Sequence, residues 1–99
     1  MKLKSFDEHL YLELQDPEFA AAYLEDAMAD SLEDFFVALR KYVQAKGGVS
    51  RCAEQTHLAR EAIYRMLSEE GNPEFRSIEA ILRSHGLRLS IRPEIQAVA

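Results

Sequence analysis

The stretch Val49–Leu67, VSRCAEQTHLAREAIYRML, decides the expected fold of this chain. It predicts a first short helix over about Arg51–Thr56, with Ser50 at its N-cap, and a second over about Arg60–Leu67. Only three residues separate the two helices. Because so short a connection forces two helices to cross steeply, the stretch predicts a helix-turn-helix.

The two faces of this predicted helix pair differ in chemistry. Small or apolar side chains recur at helical spacing on the inward face, and they are Cys52, Ala53, Thr56, Leu58, Ile63 and Met66. Charged and aromatic side chains share the outward face of the second helix, namely Arg60, Glu61, Tyr64 and Arg65. Such groups can contact base edges and phosphates in a DNA major groove. The alternative is a pair of bundle helices whose charged outer face is only solvated.

The formal net charge of −5 combines two regions of opposite sign. Residues 1–35 hold ten acidic residues and two lysines, a net charge of −8. Residues 36–99 hold seven acidic and ten basic residues, a net charge of +3. A basic surface attracts a polyanion and an acidic surface attracts a basic partner. We therefore expect DNA at the second region and a basic protein at the first, unless the acidic part is only a solvated face.

Helical periodicity continues on both sides of the helix pair. It predicts helices over about 6–15, 17–29 and 31–46, with Asp16 and Ser31 at N-caps, and a last helix over about 74–84. The third has the cleanest amphipathic stripe and is the expected core helix, whereas Tyr11 and Leu24 fall off the stripes and are expected at the surface. The residues expected to be buried are, helix by helix, Phe6, Leu10 and Leu14; Phe19, Tyr23 and Ala27; Leu32, Phe35, Phe36, Leu39 and Val43; and Phe75, Ile78, Ile81 and Leu82.

Residues 87–92 alternate instead, because Leu87, Leu89 and Ile91 are separated by single polar residues. This periodicity predicts a short β-strand, for which Lys2–Lys4 is the only weak partner in the chain. An unpaired edge strand invites another chain. We therefore expect the strand to pair with a second copy in a dimer, to add to a partner protein's sheet, or to extend over its own domain.

Composition restricts the class of function. The chain has no run of 18 apolar residues for a membrane span, and its first residues lack the apolar core of a signal peptide, so we expect a cytoplasmic protein. The single cysteine, Cys52, cannot form an internal disulfide, and the histidines have no metal-ligand spacing with it. No nucleophile has a base at a recognisable spacing. We therefore expect no metal, no cofactor and no enzymatic activity.

The chain resembles the addiction-module antidote proteins, antitoxins with an Xre/phage-repressor-like helix-turn-helix. Three stretches in order carry the resemblance, and they are FDEHL…DPEFAAAYLEDAM within 6–28, GGVSRCAEQTHLAREAIYRMLSEEGNPEF over 47–75 and ILRSHGLRLSI over 81–91. The resemblance implies an antitoxin that neutralises a small RelE/ParE-like toxin and, usually as a dimer, represses its own operon. Such toxins are generally basic and would suit the acidic front end, where the expected contacts are Tyr11, Tyr23 and Leu24.

The resemblance also assigns roles within the helix pair. It implies packing for Ala53, Leu58, Ile63 and Met66, and DNA contact for Ser50, Arg51, Arg60, Glu61, Tyr64 and Arg65. Two positions depart from the family pattern: His57 stands where a glycine is usual in the turn, and Ala59 where a serine N-cap is usual. Losing an N-cap typically costs about 1 kcal/mol and here removes a phosphate contact. The departures leave the fold intact and are expected to weaken DNA binding.

These observations predict an all-α fold, a bundle of five to six helices that contains a lambda-repressor-like helix-turn-helix, with one short C-terminal β-strand. We expect a single domain over 1–99, with acidic helices in 1–30, a core in 31–86, the strand in 87–92 and a tail in 93–99. The predicted function is a DNA-binding antitoxin. A stand-alone Xre-type repressor and a dimeric interaction module without DNA binding remain as alternatives.

Overall fold

The computed structural model describes residues 6–68 and 73–94, and these form six α-helices. The helices are α1 (Phe6–Glu13), α2 (Pro17–Asp30), α3 (Leu32–Ala45), α4 (Gly48–Thr56), α5 (Arg60–Leu67) and α6 (Phe75–Arg83). The predicted all-helical class is confirmed. Outside the described residues lie the weak strand candidate Lys2–Lys4, most of the loop between α5 and α6, and the end of the predicted tail.

Local chemistry sets the starts of α2 and α3. The Asp16 carboxylate accepts a hydrogen bond from the backbone N–H of Glu18 at 3.1 Å, and Pro17 occupies the first helical position, which needs no N–H. The Ser31 hydroxyl accepts one from the N–H of Asp34 at 2.9 Å. Each such cap typically contributes about 1 kcal/mol. Both predicted N-caps are confirmed.

The central helix is α3, which packs against α1, α2, α4 and α5. Five of its side chains are buried at helical spacing, and they are Phe35, Ala38, Leu39, Tyr42 and Val43. The predicted role of this helix as the core is confirmed. The predicted burial of Leu32 is wrong, because this first helical residue is exposed, and Phe36 is only half-buried.

The buried stripe of α2 differs from the predicted one. Ala20 and Leu24 are buried, whereas the expected residues Phe19, Tyr23 and Ala27 are half-buried. The predicted exposure of Leu24 is therefore wrong, since only 5% of it is exposed. Residues four apart lie one above the other on a helix, so the small side chain at 20 and the leucine at 24 share the buried face of α2, a helix that packs against α3. In and just after α1, the expected core residues Leu10 and Leu14 are both buried, as predicted, whereas the side chain of Phe6 is outside the described part of the structure.

The end of the described chain folds back on the core without forming a strand. In α6 the predicted burial of Ile78, Ile81 and Leu82 is confirmed, but Phe75, the first helical residue, is 68% exposed, so its predicted burial is wrong. Gly86 then adopts a left-handed φ of 79°, which a glycine reaches without strain and which ends the helix. The backbone N–H of Leu87 donates to the carbonyl of Leu82 at 2.9 Å.

The predicted strand over residues 87–92 is wrong for the single chain. Leu87 and Leu89 pack half-buried against the core, Arg88 and Ser90 face outward, and Ile91 is 98% exposed. The alternation of side chains is therefore present through Ser90. A strand also requires a ladder of backbone hydrogen bonds, and no backbone group of residues 88–94 bonds to a described residue.

Candidate functional site

The helix α4 begins at Gly48, two residues before the predicted cap. Its N-cap is Gly47 at φ 110°, Gly48 itself lies at φ 89°, and no side chain caps the helix. Ser50 is therefore inside the helix, and its predicted N-cap role is wrong. The two glycines come just after the end of α3 and form the start of α4. A Cβ at Gly47 would lie 2.5 Å from Cδ of Arg51, so this junction favours glycine both sterically and conformationally.

The turn between α4 and α5 has the predicted length and a specific internal bonding. His57 adopts φ 63°, and its N–H donates to the carbonyl of Ala53 at 2.8 Å. The Thr56 hydroxyl donates to the carbonyl of Cys52 at 2.8 Å and accepts from the N–H of Leu58 at 3.2 Å. His57 therefore has a positive φ at the position where a glycine is usual in the family pattern, and Thr56 stabilises the turn.

The helix α5 divides into a buried face and an exposed face. Ile63, Met66 and Leu67 are buried, and across the turn Cys52 is buried while Ala53 and Leu58 are half-buried. Ala59 is the N-cap of α5, and its methyl side chain offers no hydrogen-bond acceptor to the first turn, as expected for an alanine at this position. Every residue predicted to contact DNA is exposed, and these are Ser50, Arg51, Arg60, Glu61, Tyr64 and Arg65.

The arginines of this exposed surface are not neutralised by the part of the chain that the structure describes. Arg51, Arg60 and Arg65 form no ion pair or side-chain hydrogen bond with a described residue. In contrast, the ammonium group of Lys41 lies 2.8 Å from the carboxylate of Asp7 and joins α3 to α1. Unpaired surface cations keep their full attraction for a polyanion.

Arg40 joins α5 to the central helix. Its guanidinium Nη1 donates to the carbonyl oxygen of Leu67 at 2.6 Å, in a partly buried position. Because Leu67 is the last residue of α5, the cation sits at the negative end of that helix's dipole. Sequence patterns do not reveal this contact. The only signal is that Arg40 directly follows Leu39, at the flank of the apolar stripe of α3.

The predicted toxin contacts lie around a second cluster. Tyr11 and Tyr23 are half-buried near the Lys41–Asp7 pair, whose hydrogen bond raises the pKa of the Lys41 ammonium. Burial raises the pKa of the Tyr23 phenol, and the positive charge of Lys41 partly offsets this rise. The structure thus brings the two tyrosines together, whereas Leu24 is buried in the core.

One groove links the two predicted sites. It has a volume of about 490 Å³, and its lining includes Tyr11 of α1, Tyr64 of α5, and Val37, Arg40 and Lys41 of α3. Tyr23 and Leu24 do not line it. A predicted toxin contact and a predicted DNA contact therefore share one concave surface.

Metal-binding clusters and membrane-spanning helices are both absent from the described residues. No group of three or more histidine, cysteine, aspartate or glutamate side chains in residues 6–68 and 73–94 is placed to hold a metal ion. Over the same ranges, every helix is too short or too polar to cross a lipid bilayer. The single described cysteine, Cys52, is buried, and burial raises the pKa of its thiol.

Comparisons with known proteins give one match. Over residues 2–93 the chain matches a family described as "Probable addiction module antidote protein". Neither the curated proteins nor the solved structures give a match. The family match spans all six helices and most of the segment that follows them. The chain therefore belongs to the family of probable addiction module antidote proteins and is an antitoxin with a toxin as its partner.

Proposed function

We propose that this antitoxin binds operator DNA through α4 and α5, acting as a lambda-repressor-like helix-turn-helix of the Xre type, and represses its own operon. One observation carries the proposal: the exposed face of α5 presents Arg60, Tyr64 and Arg65, while Ile63 and Met66 hold the opposite face in the core. A helix fixed in this way can enter a major groove without first ordering its own backbone.

Each exposed group of the pair has a role in this proposal. Arg60 and Arg65 supply bidentate donors for guanine edges or phosphates, and Tyr64 supplies a ring and a hydroxyl. Glu61 can accept a hydrogen bond from a cytosine amino group. On α4, the exposed Ser50 and Arg51 hold the DNA backbone and so set the register of α5.

The test is binding to the protein's own promoter. The double variant Arg60→Ala, Arg65→Ala should lower promoter affinity by about 1–3 kcal/mol for each arginine that reads a base, which is roughly five- to 150-fold. Fluorescence anisotropy at fixed salt measures the affinity. Arg83→Ala is the matched control, because Arg83 is an exposed arginine on α6, outside the proposed DNA surface. Unchanged affinity in the double variant would remove α5 from the recognition surface.

We infer that the toxin is RelE/ParE-like and that the acidic front of the molecule binds it. The helix α2 carries four acidic residues and no basic one, and Tyr23 of the same helix and Tyr11 of α1 provide aromatic surface. The antitoxin would act in the cytoplasm by covering the toxin, without catalysis of its own. Charge reversal with Glu18→Lys and Asp26→Lys should slow association with the toxin encoded beside this gene, most strongly at low salt. Charge reversal with Glu54→Lys and Glu74→Lys is the matched control, because both residues are exposed and lie outside α2, and equal slowing there would contradict the assignment.

A second candidate function follows from the start of α5. Because Ala59 gives no side-chain cap and no hydroxyl for a phosphate, the pair also suits a dimeric interaction module that does not bind DNA. Absence of any salt-dependent promoter binding in the wild type would favour it. Membership of an antidote family disfavours the remaining alternative, a repressor without a toxin. For an operator-binding antitoxin we propose a homodimer, because paired half-sites require two helix pairs.

A further inference from the structure

An apolar groove separates α2 from the segment 86–94. Its volume is about 930 Å³, and the large apolar side chains in its lining are Leu24, Met28, Phe35, Leu82, Leu87 and Leu89. Met28 is 42% exposed at its edge, although it is a large apolar residue. The proposed contacts with DNA do not use this groove, because none of those residues lines it.

Ile91 lies beside the groove and does not line it. Its neighbours Ser90 and Arg92 both contribute to the lining, whereas Ile91 is 98% exposed. The same stretch of chain therefore presents an apolar cavity on one side and an apolar projection on another. A two-fold interface uses one patch on both subunits, so it requires a projection and a recess on the same molecule.

The segment that carries Ile91 has few contacts of its own with the described part of the domain. None of the backbone groups of residues 88–94 forms a hydrogen bond with a described residue. The ion pair that joins Arg92 to Glu25 at 3.7 Å has two largely exposed side chains, so it contributes little. Backbone groups that no described residue pairs, together with these few contacts, allow this segment to bind another chain.

The two rims of the groove have opposite charge. The helix α2 has a net charge of −4, and the segment 86–94, with two arginines and one glutamate, has +1. Arg88 has no ion pair with a described residue. A two-fold axis along the groove would set α2 of each copy against the segment 86–94 of the other, so each acidic rim would meet a basic rim.

We propose that a second copy of this chain occupies the groove, with Ile91 of each copy inserted into the groove of the other. The inference deepens the proposed function, since it names the surface that would bring two copies of α5 onto one operator. It needs neither DNA nor toxin to be tested, because the pairing itself is the readout.

The first experiment measures the mass of the full chain in solution by sedimentation equilibrium. The wild type should be a dimer, and Ile91→Glu should be a monomer with unchanged helical content, because this side chain has almost no contact in its own chain. Met28→Glu should weaken the dimer from the opposite side of the contact. Leu12→Glu is the matched control, since Leu12 is a 61% exposed apolar residue on α1 that does not line the groove.

The second experiment tests the geometry of the contact. Met28→Cys and Ile91→Cys chains, mixed with oxidised glutathione, should form a disulfide-linked heterodimer in excess over either homodimer, with glutathione reduced in the exchange. The native Cys52 is buried and should contribute little. A monomeric wild type at all micromolar concentrations would overturn the proposal. An Ile91→Glu chain that stays dimeric would also overturn the proposal. If that chain also loses toxin binding, the groove would be assigned to the toxin instead. Promoter affinity is measured separately, so either proposal can fail alone.

Discussion

Among single residues, His57 determines the energy of the turn between α4 and α5. Its φ of 63° lies in the left-handed region, which costs a residue with a Cβ and suits glycine. We predict that His57→Gly raises the free energy of unfolding by about 0.5–1 kcal/mol, measured by urea denaturation. Gln55→Gly is the control, because glycine at an exposed position inside α4 should lower the same quantity by about 1 kcal/mol. A lower urea midpoint for His57→Gly would contradict this reading of the turn.

His85 makes the stability of the fold depend on pH. Its ring stands edge-on to that of Tyr42, with centroids 5.4 Å apart. Burial above all, and then the charges of Lys46 and Arg51, lower the pKa of His85 below its ordinary value of 6.5. The unfolded chain therefore binds this proton more readily, so the unfolding free energy is highest above pH 6.5 and falls as the pH drops through that value toward the folded pKa. Tyr42, whose pKa burial raises to about 12, stays protonated throughout.

The test of this residue-level effect is His85→Phe, which keeps an aromatic ring against Tyr42 and removes the titrating proton. Between about pH 7.5 and pH 5.5 the wild type should lose more stability than the variant does, as urea midpoints would show. Equal losses in the two proteins would mean that other groups cause the dependence.

At the scale of elements, local patterns predict the helices well because helix formation is decided by nearby residues. The helix α5 has the predicted bounds, and its division into faces follows from the spacing of Ile63 and Met66. Errors arise where two local signals compete. Ser50 resembles an N-cap, but Gly47 and Gly48 start the helix before it. The strand over 87–92 fails for another reason, since a strand needs a partner that a single sequence does not show.

Local sequence patterns do not predict contacts between helices. The Arg40–Leu67 hydrogen bond is such a contact, because its two residues lie 27 apart in the sequence. We predict that Arg40→Met lowers the free energy of unfolding by about 1.5–3 kcal/mol, because it removes a charge-assisted hydrogen bond and leaves a carbonyl without its donor. In this variant, the rate of amide hydrogen exchange should increase more in α5 than in α2. Arg83→Met, which breaks only the exposed pair with Glu79 at 3.8 Å, should cost less than about 1 kcal/mol. An equal loss of unfolding free energy in the two variants would show that Arg40 does not stabilise the packing of α5.

At the scale of the whole molecule, one continuous core carries two surfaces of opposite charge. Buried residues from Leu10 to Leu82 form a single cluster, and α3 contacts both the acidic α2 and the helix pair α4–α5. A net charge of −5 opposes non-specific attraction to DNA. Any approach that presents α2 is repelled, so attraction is confined to orientations that present the unpaired arginines of α4 and α5. If the proposed assignments are right, the acidic front would favour one docking orientation on DNA as well as bind the toxin.

This distribution of charge predicts how salt acts on promoter binding. The logarithm of affinity should fall linearly with the logarithm of salt concentration, with a slope of about −0.9 for each phosphate neutralised. Replacing Arg60 and Arg65 by alanine should flatten the slope by about two if both contact phosphates, and lower affinity at unchanged slope if both read bases. Glu18→Gln with Asp26→Asn on α2 should raise affinity at low salt and leave it unchanged at high salt, because salt screens the repulsion between these carboxylates and DNA. An affinity that changes more with the α2 pair than with the arginines, at high as well as at low salt, would place DNA on the other side of the molecule.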